Sequence, residues 1–135
     1  MECGSHYARS MASYGVFVAA EGFDYDGPRG IMSFAPRLTP DDFRAAFTAA
    51  QGWGSFAQHY VGAQFRAQID LGYGKLRLKA VGLAPPVGVR VEHVVAAVDG
   101  KAIAAAAAVS HGKLVVHFHQ WLVLHAGEKL TITCR

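Results

Sequence analysis

Residues 113–125 read KLVVHFHQWLVLH, and their alternation is typical of a β-strand with two different faces. Successive side chains of a strand point to opposite sides of its sheet, so residues two apart share a face. The even positions form an apolar face, interrupted only by Gln120, and are Val116, Phe118, Leu122 and Leu124. The odd positions carry three histidines and two apolar residues, which are His117, His119, Trp121, Val123 and His125. This strand anchors the prediction of the fold.

Further strand-like segments run from Gly52 to the C-terminus, separated by Gly or Pro. They are WGSFAQHYVGAQFRAQIDLGYG, KLRLKAVGL, VRVEHVVAAV, KAIAAAAAV and EKLTITCR. Asp99-Gly100 is a strong two-residue hairpin signal. The alanines from Ala104 to Ala108 favour a helix, but the run is too short to form one independently, so we interpret it as a strand. We predict a mainly β fold, either an antiparallel sandwich or a jelly-roll-like meander.

The N-terminal region has a different pattern. Residues 5–20, SHYARSMASYGVFVAA, place a stripe of large side chains at helical spacing behind a Ser5 cap, namely Tyr7, Met11, Tyr14 and Val18. We therefore predict one domain over residues 1–135, with an amphipathic helix over 5–20, loops and short strands over 21–51, and a β meander over 52–135. The length of 135 residues suits a single core.

Composition excludes several classes of protein. A hydrophobic fraction of 52% with 17% charged residues argues against disorder. The net charge of +3 is spread along the chain, and Lys75, Arg77 and Lys79 form the only tight basic set, so we expect no nucleic-acid partner. No apolar run approaches a membrane span, and no signal peptide is recognisable, so we expect no membrane partner and a cytoplasmic location. Cys3 and Cys134 could pair, although two free thiols fit that compartment better.

The first 58 residues carry a family resemblance. The segments ECGSHYARSMASYGVFVAAEGFDYDGPRG and FAPRLTPDDFRAAFTAAQGWGSFAQ resemble the C-terminal end of bacterial glycoside hydrolase family 116, which comprises β-glucosidases and non-lysosomal glucosylceramidases. GKLRLKAVGL and VDGKAI loosely resemble the β-rich tail that can follow. The resemblance implies that HYARSMASYG belongs to the last helices of an (α/α)6 catalytic barrel and that Arg9 binds substrate hydroxyls. It also implies that both catalytic carboxylates lie upstream of this chain.

Without those carboxylates we expect no glycosidase activity, since that reaction needs two carboxyl groups flanking the scissile bond. The helix predicted over 5–20 would also lack the barrel neighbours that cover its apolar stripe. An exposed apolar stripe favours assembly, so we expect a homo-oligomer, either a dimer or a trimer.

Histidines suggest a separate chemistry. His117 and His119 share a strand face at a spacing that could place two nitrogens on one zinc or similar divalent ion. His93 is our preferred third ligand, with His59, His125 or a symmetry partner as alternatives. Zinc with three protein ligands and a bound water could hydrolyse small activated esters or phosphoesters, with a small molecule as substrate. Surface or hydrogen-bonded histidines without a metal explain the same pattern.

Three functions follow from these patterns. The first is a metal-dependent hydrolase built on His117, His119 and His93. The second is a catalytically silent, oligomeric C-terminal fragment of a family 116-like glycosidase. The third is a carbohydrate-binding module that uses Trp53, Trp121 and Arg9, although both tryptophans could instead be core residues.

Overall fold

A computed structural model describes residues 22–37, 40–110 and 112–135, and all its regular elements there are β-strands. In chain order they are β1 (Asp24–Asp26), β2 (Ile31–Phe34), β3 (Asp42–Ala49), β4 (Gly52–Val61), β5 (Gln64–Leu83), β6 (Val94–Val98), β7 (Lys101–Ile103), β8 (Ala105–Ser110), β9 (Lys113–His125) and β10 (Lys129–Cys134). The prediction of a mainly β fold is confirmed, while the helix predicted over 5–20 and Arg9 lie outside the described residues. Those ranges hold no helix long and apolar enough to cross a membrane.

The long strand β5 belongs to two sheets. Its first part pairs with β4 and β10, in a sheet ordered β3-β4-β5-β10-β6-β7. Its last part pairs with β2 and β9, in a sheet ordered β1-β2-β5-β9-β8. Because β2 runs parallel to β5, the sheet is mixed, and the purely antiparallel prediction is wrong in that respect. Strand β10 lies between β5 and β6, so the strands are not all neighbours in chain order.

The two sheets pack against each other through aromatic side chains. Phe34 on β2 stacks on Phe56 of β4, with ring centroids 3.8 Å apart and planes within 2°. Phe47 packs against the edge of Phe34 at 5.9 Å. Phe34, Phe47 and Phe56 are all buried and belong to one hydrophobic core cluster that draws on both sheets. The stack therefore joins the sheets at the centre of the core.

Strand β9 has the two faces that its sequence predicts. Val116, Phe118 and Leu124 are buried, so the even side faces the core. Gln120 is exposed, and the pairing of β9 with β5 is irregular there: Leu78 faces Leu122, whereas Ala80 faces His117. Four residues of β9 thus lie opposite a single residue of β5. This irregularity lets the Gln120 side chain leave the core.

The alanine-rich segment is a strand, but an interrupted one. At Ala104 the chain leaves β7, which pairs with β6, and enters β8, which pairs with β9 in the other sheet. The carbonyl of Ala104 accepts a hydrogen bond from the His119 N–H at 3.2 Å. The continuous strand predicted over KAIAAAAAV is therefore two short strands, because the chain changes sheets between them.

Candidate functional site

The histidines of β9 lie on its outer side. His117 and His119 are both exposed, and His117 faces Ala80 and Ala106 on the neighbouring strands. Alanine offers no further metal ligand on either side. The two side chains share a face as the sequence predicts, but their flanking positions supply no third donor.

His93 occupies a different part of the fold. It precedes β6 and exchanges backbone hydrogen bonds with Arg135, with N···O distances of 3.3 and 3.1 Å. It therefore lies beside the end of β10 in the β3-to-β7 sheet, whereas β9 belongs to the other sheet. His59 on β4 is hydrogen-bonded through Nδ1 to Asp42 Oδ1 at 3.1 Å.

The prediction of a zinc-dependent hydrolase is wrong. In the part of the chain that the structure describes, no group of three or more His, Cys, Asp or Glu side chains could hold a metal ion. The physical reason is that residues two apart share a strand face, whereas the third ligand depends on strand order, which the spacing of His117 and His119 does not encode.

The outer face of β9 carries an aromatic-cation pair. The Arg77 guanidinium carbon lies 3.9 Å from the centroid of the Trp121 ring, a cation-π contact. The ring also lies against the backbone at Gly30, where a Cβ atom would approach Trp121 Cζ3 to 2.3 Å. Arg77 also lies near Tyr25, whose pKa is raised by burial, and the Arg77 charge partly offsets this rise. Arg77 and the Gly30 backbone thus hold Trp121 from two sides, and 42% of its surface remains exposed.

A second aromatic pair lies where β4 meets β5. Trp53 pairs with Tyr73 across the two strands, and their rings stack with centroids 6.2 Å apart and planes within 14°. Gly72 makes room for the indole, because a Cβ there would lie 2.9 Å from Trp53 Cζ3. Trp53 is 54% exposed and Tyr73 64% exposed, so neither ring is a core residue.

Strand β5 connects the two aromatic groups. Its exposed residues occupy alternate positions, namely Tyr73, Lys75 and Arg77. Leu76, which lies between the two cations, and Leu78, which follows them, are buried. Tyr73 and Arg77 lie four positions apart on β5, and the strand is irregular between them at Gly74, which has a φ of +78°. We call this surface the aromatic-basic strip, and its members are Trp53, Tyr73, Lys75, Arg77 and Trp121.

A cavity of about 450 Å³ adjoins one end of the strip. It lies where β9 bulges away from β5 and where the chain crosses between sheets at Ala104. Both polar and apolar groups line it, namely Ile103, Ala104, Phe118, His119, Gln120, Trp121 and Leu122. Lys79 Nζ donates a hydrogen bond to the His119 carbonyl at 2.9 Å, which ties the bulge to β5. The cavity could take one sugar-sized group beside the Trp121 ring.

Only part of this surface was predicted from the sequence. Trp53 and Trp121 were predicted as sugar-binding residues and Lys75 and Arg77 were recognised as a tight basic set, but Tyr73 was not predicted. The signal for Tyr73 was its place two residues before Lys75 in an alternating strand. The pairing with Trp53 depends on the register between β4 and β5, including an irregularity between Trp53 and Gly54.

Comparisons with known proteins identify no family. No protein-family model matches the sequence, and no curated protein matches it. The chain is similar in structure to part of a family GH127 β-L-arabinofuranosidase from Geobacillus stearothermophilus T6, with a TM-score of 0.49 and 11% sequence identity. The match covers 94% of this chain and 18% of that enzyme, so the chain spans under a fifth of the enzyme's length.

Proposed function

We propose that this chain is an accessory β domain of a glycosidase-type protein, of the kind that family 116 represents, and that it binds carbohydrate through the aromatic-basic strip without hydrolysing it. The observation that carries the proposal is the exposed Trp53–Tyr73 pair. Large aromatic side chains contribute most when they are buried, and exposed apolar groups that cluster are a mark of binding surfaces.

The chemistry of an aromatic pair suits a sugar. One face of a pyranose or furanose ring presents C–H bonds and stacks on an aromatic face, while its hydroxyls remain in water or reach polar side chains. Because Trp53 and Tyr73 already stack with nearly parallel planes, they lose little freedom when a ligand covers them. Trp121, which stacks on Arg77 further along β5, offers a second stacking position for a longer chain.

The accessory role rests on the family resemblance of residues 2–58 and on the carboxylates among the described residues. Residues 2–58 resemble a segment that follows the catalytic carboxylates in family 116. Among the described carboxylates, Asp26 is ion-paired with Arg29 and Asp42 with His59, and both pairs are exposed.

Affinity electrophoresis and titration calorimetry of the full chain test the proposal, with soluble neutral and acidic polysaccharides as ligands, β-glucans and arabinans among them. We expect Trp53→Ala and Tyr73→Ala each to weaken binding at least tenfold, about 1.4 kcal/mol. Val61→Ala is the matched control, because Val61 lies on β4 and is 64% exposed but is outside the strip. An absence of binding across the panel, or equal losses in the control, would refute the proposal.

Hydrolytic activity is measured in a separate assay. We expect no release of nitrophenol from aryl glucosides or aryl arabinosides above the uncatalysed rate. Turnover that survives purification and follows the protein through a sizing column would show that the domain is an enzyme.

A further inference from the structure

We infer that the saccharide bound by the aromatic-basic strip is acidic, and that Lys75 and Arg77 bind carboxylates of a uronate-containing polysaccharide. This inference rests on the proposed function and names its ligand class. On β5, the strip places the two cations Lys75 and Arg77 after the Trp53–Tyr73 pair and beside Trp121.

Neither Lys75 nor Arg77 forms an ion pair with another described residue. Ion pairs in the described part of the chain join Arg29 to Asp26, His59 to Asp42 and Lys129 to Asp70, and none involves Lys75 or Arg77. Lys75 faces His125 across the strands, and Arg77 faces Val123, so neither has a carboxylate opposite it. Cross-strand neighbours of opposite charge are a common stabilising device, and it is missing here.

Arg77 is also held in a fixed orientation. Its guanidinium stacks on Trp121 at 3.9 Å, and Trp121 is held in turn by the backbone at Gly30. A stacked guanidinium keeps its N–H groups free at its edge, where they match the two oxygens of a carboxylate. The Arg77 guanidinium is therefore already oriented to bind a planar anion before the ligand binds.

The pattern favours a saccharide over a nucleic acid. Proteins that follow a phosphate backbone use longer sets of cations, and their affinity falls steeply with salt. Lys79, the third cation of the Lys75, Arg77 and Lys79 set, donates a hydrogen bond to the His119 carbonyl and is half-buried, which leaves Lys75 and Arg77 for a ligand. Two cations between stacking aromatic residues match a sugar chain that carries one carboxylate per unit.

Polygalacturonate and its carboxyl-reduced counterpart provide the test, because the two polymers differ only in the carboxylates. We expect the full chain to bind polygalacturonate at least tenfold more tightly in 50 mM salt, with a several-fold loss at 300 mM. Lys75→Gln and Arg77→Gln should each reduce that preference about fivefold or more. Lys101→Gln, an exposed lysine on β7, should leave it unchanged.

Arg77→Gln could act through Trp121 alone, and two further variants separate the effects. Arg77→Lys keeps the charge and should retain part of the preference, and Lys75→Gln leaves the stack intact. Equal binding of the two polymers, with binding of a neutral polymer still lost in Trp53→Ala, would overturn the inference and leave the proposed function standing. Binding of single-stranded DNA that competes with polygalacturonate at equal affinity would also overturn it. No binding of any polysaccharide would refute the proposed function itself.

Discussion

Gly30→Ala would displace the Trp121 ring from its position on Arg77. Gly30 has a φ of +66°, which costs a non-glycine residue about 1–2 kcal/mol. An added Cβ would also lie 2.3 Å from Trp121 Cζ3 and 3.0 Å from the Lys79 backbone nitrogen. The nitrogen cannot easily retreat, because it donates a 2.7 Å hydrogen bond to the Gly30 carbonyl. The ring must therefore move.

The size of the destabilisation follows from the contacts that the Trp121 ring loses. Moving Trp121 off Arg77 costs about 0.5–1 kcal/mol for the cation-π contact, and an off-rotamer side chain costs about 0.5–1.5 kcal/mol more. With the backbone strain, Gly30→Ala should lower the free energy of unfolding by about 2–4.5 kcal/mol. Gly62→Ala is the matched control, because Gly62 has a φ of +64° and an added Cβ would meet nothing within 4 Å. It should cost about 1–2 kcal/mol, the strain alone.

Urea unfolding of five proteins isolates the ring's contribution: wild type, Gly30→Ala, Trp121→Ala, the double variant and Gly62→Ala. In the Trp121→Ala background, Gly30→Ala should cost less than in the wild type, because only the backbone strain and the 3.0 Å contact with the Lys79 nitrogen remain. Gly30→Ala should also weaken polysaccharide binding several-fold. Equal destabilisation by Gly30→Ala and Gly62→Ala, or an unchanged cost of Gly30→Ala without the indole, would show that the ring does not pack on this glycine.

Phe56→Ala should destabilise the protein by about 3–5 kcal/mol in urea unfolding, because its ring is fully buried and stacks on Phe34 between the sheets; a loss under about 1 kcal/mol would contradict that packing. Burial raises the pKa of Cys134 to about 11 from 9.0, so the native thiol should resist iodoacetamide at neutral pH until the protein unfolds. Because the unfolded thiol ionises first, stability should fall between about pH 9 and 11, by up to roughly 3 kcal/mol, and Cys134→Ala should remove that part of the pH dependence. Asp99 has a φ of +48°, and its carboxylate accepts a hydrogen bond from the Lys129 N–H at 3.0 Å, so Asp99→Ala should cost about 1–2 kcal/mol in thermal unfolding and Asp99→Asn much less.

Local pattern predicted the strands well but not their partners. The two faces of β9 and the hairpin at Asp99-Gly100 follow from alternation and turn chemistry, which are properties of neighbouring residues. The parallel β2–β5 pair and the place of β10 between β5 and β6 depend on contacts far apart in the chain. The change of sheet at Ala104 has no local signal, because the alanines on both sides are alike.

The same dependence on distant contacts explains why the prediction of a metal-dependent hydrolase was wrong. The spacing of His117 and His119 correctly placed both side chains on one face of β9. Their third ligand required His93 to come near, and strand order puts His93 beside Arg135 instead. Trp53 and Trp121 illustrate the converse, since β4 and β9 are distant in the chain and both pair with β5.

Strand β5 is therefore the element that links the fold to the proposed function. A strand of 20 residues can pair with four neighbours, two along each part, and so bring residues of distant segments beside it. The register of β4 on β5 shifts at Trp53, which lies against Gly72, and the bulge of β9 opposite Lys79 includes Trp121, which stacks on Arg77. Bulges redirect side chains and are frequent beside functional sites, so these two irregularities support the proposal that Trp53 and Trp121 bind a ligand.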